Sequence, residues 1–140
     1  MSQSLEELQL INEAISKGIR YDDTVREGVI IFYFEGGNNF DEIPVYATVR
    51  TMDSGSVIAS VSCYEFFNFG TDLMSGYRAC NAANDDALVA RFYVDEDDDA
   101  VAHFCSVYEF GFDPRHFFSQ LEYFANDMDD AYPFFRDAKR

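Results

Sequence analysis

The residues best equipped for chemistry lie between Asp95 and His116. Asp95-Glu96-Asp97-Asp98-Asp99 is an unbroken acidic run in which Asp95, Asp97 and Asp99 alternate as in a calcium loop. Such a loop between two helices also needs Gly at its sixth position and Glu at its twelfth. Counted from Asp95, those positions are Ala100 and Ser106, and the flanks have the alternation of strands. A solvated hairpin turn is the better reading of the run, with divalent-ion binding as its rival.

His103 and Cys105 share a strand face with Val101 and have the residue types of a base and a nucleophile. No orienting third group and no glycine-rich oxyanion loop accompanies them, so His103 is expected to be a partly buried structural histidine. His116 falls in the first turn of a helix, on its outer side. Zinc requires three or four converging ligands, which two separated histidines do not supply.

Asp129 and Asp130 read as a solvated helix face rather than an acid/base pair. Gly36-Gly37 runs into Asn38-Asn39, not into Lys-Ser/Thr, and no helix starts there, so it is no phosphate loop. Asn84 reads as a left-handed helix-ending residue. No catalytic residue, metal ligand or cofactor site is expected, and with them no enzyme. The remaining candidate is an aromatic run, Tyr64, Phe66, Phe67 and Phe69. Its residues either close the core, the favoured reading, or form an exposed patch that meets a partner. In the second case they are the partner-binding residues, because aromatics dominate interface energetics.

The elements that position these residues follow from apolar spacing. Ser4 to Lys17 is a helix with Leu5, Leu8, Ile11 and Ile15 on one face and Ala14 beside them, a Ser4/Glu7 capping box, and a stop at Gly18. Gly28–Glu35, apolar on both faces, and Ile43–Met52 and Ser56–Cys63, which carry an apolar residue at every second position, read as three strands of an antiparallel meander. Thr71 caps a second helix that runs to about Asn84 with Leu73, Tyr77 and Cys80 on one side. Leu88–Asp95 and Ala100–Phe110 make a hairpin around the acidic run. Asp113 and Pro114 open a last helix whose stripe is Phe117, Leu121, Phe124 and Met128, and Pro133 should end or kink it. The expected fold class is α+β, one domain over 1–140, with a twisted antiparallel sheet of about five strands covered by helices in the order α-β-β-β-α-β-β-α.

Composition narrows the function. With 15 Phe and 9 Tyr in 140 residues, the chain has ample apolar material for a core. Its 26 acids against 10 bases give a net charge of −16. That charge disfavours nucleic acid and anionic membranes, and favours a basic partner. Cys63, Cys80 and Cys105 are odd in number and widely spaced, which gives no disulfide framework. The start, MSQSLEELQL, lacks the basic region and apolar core of a signal peptide, so cytoplasm is the expected compartment.

Three stretches carry a resemblance: Asn81-Ala-Ala-Asn84, Arg91-Phe-Tyr-Val-Asp-Glu-Asp97, and Phe112-Asp-Pro114 followed by a helix ending Asp130-Ala-Tyr-Pro133. In this order and spacing the chain resembles the YbjN-like family of bacterial sensory transduction regulators. The resemblance implies a fold similar to that of type III secretion chaperones, and a homodimeric module that binds a protein or peptide client. Family members often carry Gly in the acidic turn, whereas Glu96 to Asp99 has none. The expected function is therefore a non-enzymatic, chaperone-like or regulatory protein-binding module with an acidic surface. Its rivals are an acidic nucleic-acid mimic that blocks a DNA-binding protein and a divalent-ion binder at the 95–99 turn.

Overall fold

The computed structural model describes residues 3–70 and 72–139, without the side chains of Glu65 and Lys139. The described residues form α1 (Leu5–Lys17), β1 (Arg20–Asp22), β2 (Ile30–Glu35), β3 (Glu42–Thr51), β4 (Val57–Asn68), α2 (Leu73–Asp86), β5 (Arg91–Val94), β6 (Asp99–Tyr108) and α3 (Pro114–Lys139). The six strands make one antiparallel sheet in the order β1-β2-β3-β4-β6-β5. The α+β class and the expected element order hold, with the short β1 added at one edge. No described helix is long and apolar enough to cross a membrane.

Register sorts the strand residues onto two faces, because neighbouring side chains on a strand point opposite ways. Phe32 lies opposite Val45, Ala47 opposite Val61, and Val61 opposite Phe104. These residues join Leu10, Phe117, Phe118, Phe124 and Met128 from the helices in one buried cluster. The other face carries Tyr46, Ser62 and His103, which lie opposite one another in the adjacent row.

Helix α1 begins as expected, with Ser4 Oγ accepting the Glu7 N–H at 3.2 Å, and ends at Gly18 with φ 70°. Its apolar arc is wider than the surface it packs on. Leu10, Ile11 and Ala14 are buried, while Leu5, Leu8 and Ile15 stay exposed. Thr71 lies outside the described residues, and Asp72 caps α2 by accepting from the Ser75 N–H. The buried side of α2 is Gly76, Ala79, Cys80 and Ala83, with Tyr77 outside. Small residues win there because the helix lies close to the sheet: a Cβ on Gly76 would stand 3.0 Å from the Phe69 ring and 3.1 Å from Val94.

Asn84 is not a left-handed terminus. It sits inside α2, and its side-chain amide both donates to the Phe92 carbonyl (3.1 Å) and accepts the Phe92 N–H (2.7 Å). It thus pairs the outward backbone groups of edge strand β5, which would otherwise invite another strand.

Helix α3 continues through Pro133 to Lys139. Proline has no N–H for the carbonyl four residues back, which here belongs to Asp129. The Asn39 side-chain amide donates to that carbonyl at 2.8 Å and replaces the missing bond. The continuation brings Phe135 to the core, where it is fully buried. Phe66, Phe67, Phe69 and Phe92 surround it at ring-centroid distances of 5.1, 6.2, 6.0 and 5.6 Å. Phe66 and Phe67 are neighbours in sequence, and a bulge between Cys63 and Phe67 lets both turn toward Phe135. Tyr64, Phe66 and Phe67 of the aromatic run therefore belong to the end of β4, and Phe69 directly follows it.

Candidate functional site

The uncovered sheet face holds a cleft floored by hydroxyl and imidazole side chains. Strands β3, β4 and β6 supply its floor: Tyr46, Ser60, Ser62, Tyr64 and His103, with Thr48 at the side. The hollow follows from side-chain size, since two serines stand in the middle row and two tyrosines beside them. Tyr46 and Tyr64 meet edge to face with centroids 5.3 Å apart. The segment joining β1 to β2 forms the wall with Val25, Arg26 and Val29, enclosing about 390 Å³.

That wall is pinned from both sides. Asp22 accepts both the backbone N–H (2.8 Å) and the hydroxyl (2.6 Å) of Thr24. The Thr24 hydroxyl, then its N–H, hold the Asp22 carboxyl below its ordinary value. Gln3 donates to Asp23 at 2.7 Å, and Gly28 takes φ 79° at the turn back into the sheet.

His103 and Cys105 both face this side, yet they do not form a pair. His103 Nδ1 lies 3.1 Å from Ser62 Oγ, and Ser60 Oγ donates to Cys105 Sγ at 3.6 Å. Each partner is the cross-strand neighbour in register. A serine–histidine contact supplies two of the three members of a hydrolytic triad, but among the described residues no carboxylate bonds the imidazole to orient it. His116 stands apart, with Nδ1 3.1 Å from the Tyr108 hydroxyl.

The acidic turn gathers the carboxylates of Asp95, Asp97 and Asp99 within 4.8 Å of one another. Its own backbone satisfies much of that charge. Asp95 Oδ1 accepts the N–H groups of Asp97 and Asp99 at 2.9 and 3.0 Å, and Asn68 donates to Asp99 Oδ1 at 2.7 Å. Asp98 takes the left-handed conformation (φ 64°) in place of a glycine.

The most heavily bonded acids are two that sequence reasoning assigned to solvent or passed over. Asp129 is buried, not on a solvated face. It accepts the N–H groups of Asn38 and Asn39, both at 2.9 Å, so the Gly36–Asn39 turn cradles a carboxylate of this chain. Burial pushes its carboxyl up, but the N–H groups of Asn38, Asn39, Gly37 and Phe40 prevail and hold it below the ordinary value. Asp127, also buried, accepts from Leu88, Val89 and Ala90 at 3.0, 2.8 and 2.9 Å and fixes the entry to β5. Their spacing beside the apolar stripe of α3 was the available signal. Burial pushes the thiols of Cys63 and Cys80 up to about 12 and about 11, while Cys105 is exposed.

The model of the YbjN family, whose description is "Putative bacterial sensory transduction regulator", matches residues 38–137. The chain belongs to the YbjN family. The crystal structure of YbjN from E. coli has the same fold, with a TM-score of 0.52 at 14% identity over 92% of this chain and 88% of that one. No curated protein matches by sequence. The family match begins after α1, β1 and β2, so the cleft wall lies outside it and the cleft floor inside it.

Proposed function

We propose that this YbjN-family chain is a non-enzymatic, cytoplasmic regulatory module that grips a protein or peptide client on the open face of its sheet. One observation carries the reading: the face opposite the helices presents Tyr46, Tyr64 and Tyr93 over a middle free of carboxylates. The residues in those rows are Thr48, Arg50, Ile58, Ser60, Ser62 and, on β6, Val101, His103, Cys105 and Val107. Acids on this face stand at its margins, with Glu35 and Glu42 at one end, Asp95 and Asp99 at the other, and Asp22 on edge strand β1. Aromatic centre and charged rim are the anatomy of a protein interface. Phe69 is buried and Phe66 and Phe67 pack on the core, so the proposed contact set keeps Tyr64 of the aromatic run and adds its neighbours on the face. The acidic rim would favour clients with basic flanks. A homodimer is part of the proposal, by likeness to the chaperone architecture alone.

Affinity capture from native extract tests the reading. Wild type retains a client that the exposed-face double variant Y64S/Y93S releases, while the helix-side variant Y123S retains it. Equal retention by Y64S/Y93S, or no client above background at low salt, would end it.

A further inference from the structure

We propose that the cleft between the 23–29 segment and the sheet binds a small organic anion, a carboxylate carried on a flat apolar body. The charge pattern is the first support. In a chain with 26 acids, the residues lining this cleft include none. Four other surface clefts each carry at least one, among them Glu7, Asp86, Asp137 and Asp113.

Arg26 is the second support. It lines the cleft, and among the described residues its guanidinium makes no ion pair or hydrogen bond, although acids outnumber bases more than twofold. A guanidinium presents a rigid fork of donors that matches a carboxylate edge to edge. His103 adds to it. One ring nitrogen engages Ser62, and the other has no partner among the described residues.

The third support is shape. A volume of about 390 Å³ is within the range of pockets that hold small molecules. Val25 and Val29 offer apolar surface on one side, and the Tyr46–Tyr64 pair offers aromatic surface on the other. A flat apolar body fits between them with its carboxylate toward Arg26. The chain's distant acids are largely screened beyond about 8 Å at physiological ionic strength, and of the acids on the wall's own segment Asp22 and Asp23 are engaged by Thr24 and Gln3. The inference rests on the reading of the open face as the functional one and gives that face a ligand of its own.

Calorimetry and amide NMR with phenylacetate, and with phenylacetamide as its neutral counterpart, test the proposal. Phenylacetate is expected to saturate with a dissociation constant on the order of 1 mM, as fits so small a ligand. Its shifts should centre on Arg26, Ser62 and His103. R26Q should weaken it roughly tenfold through loss of a charge-assisted pair, and R26K should recover part of the loss. The helix-side variant R78Q should change nothing. Phenylacetamide binding as tightly as phenylacetate would overturn the proposal. So would no saturation by about 20 mM against that expectation, shifts centred elsewhere, or indifference to R26Q. None of these readouts involves a client, so this test and the capture experiment fail separately.

Discussion

Asn39 holds Asp129 twice: its backbone N–H donates to the carboxylate at 2.9 Å, and its side chain donates to the backbone carbonyl at 2.8 Å. The second bond stands in for the N–H that Pro133 lacks. N39A should therefore cost about 1–2 kcal/mol in urea unfolding, because it leaves the Asp129 carbonyl short of a donor. In a P133A background, where a helical N–H returns, the same change should cost less. Additive losses in the double-mutant cycle would show that the side chain and the proline act independently.

Asp129 also predicts an acid-side signature. Its carboxyl is held below the ordinary value in the folded chain by backbone donors that prevail over burial. A depressed carboxyl contributes stability that is present above the unfolded value, near about 3.9, and lost as pH falls through the folded value. D129N should be less stable than wild type at pH 7, and the difference should shrink below about pH 4. A difference that stays constant from pH 7 to about pH 2 would remove the carboxylate from the account.

The thiols should react in a fixed order. Cys105 is exposed, whereas burial raises Cys63 and Cys80 to about 12 and about 11. Thiolate is the reactive form, so a native chain at pH 8 should take up one equivalent of alkylating reagent quickly, at Cys105. The other two should follow only on unfolding. Rapid modification of Cys63 would contradict its place in the core.

Phe135 should be among the costliest residues to truncate. It is fully buried and contacts four other phenylalanine rings. F135A should lose about 3–5 kcal/mol in urea unfolding, the usual cost of emptying such a site. A loss below about 1 kcal/mol, well under that range, would mean that the last turns of α3 are not docked.

Most of the elements were legible because apolar spacing is a local property. Ser56–Cys63 alternated cleanly, Gly28–Glu35 was apolar on both faces, Ser4, Gly18, Asp113 and Pro114 marked helix ends, and the α3 stripe gave its buried face. What escaped depended on partners distant in the chain. Pro133 alone signals a helix end, and only the Asn39 amide from the β2–β3 turn explains why the helix goes on. Asn84 alone signals a terminus, and only the free backbone of Phe92 explains its place. Asp129 looked solvated until a glycine turn met it. The short β1 lacked enough residues to show alternation. As for the cleft, Ser60 and Ser62 were correctly turned outward, but Arg26 sits in a stretch without periodicity, and its place over the sheet is a tertiary fact.

The most direct test of the open face as the binding surface is cysteine footprinting of the captured complex. Cys105 reports on that face, and S119C, at an exposed position on α3, reports on the helical side. With the client bound, alkylation of Cys105 should slow at least tenfold while S119C reacts as in the free chain. Protection of S119C with Cys105 still freely labelled would put the client on the helices and contradict the account.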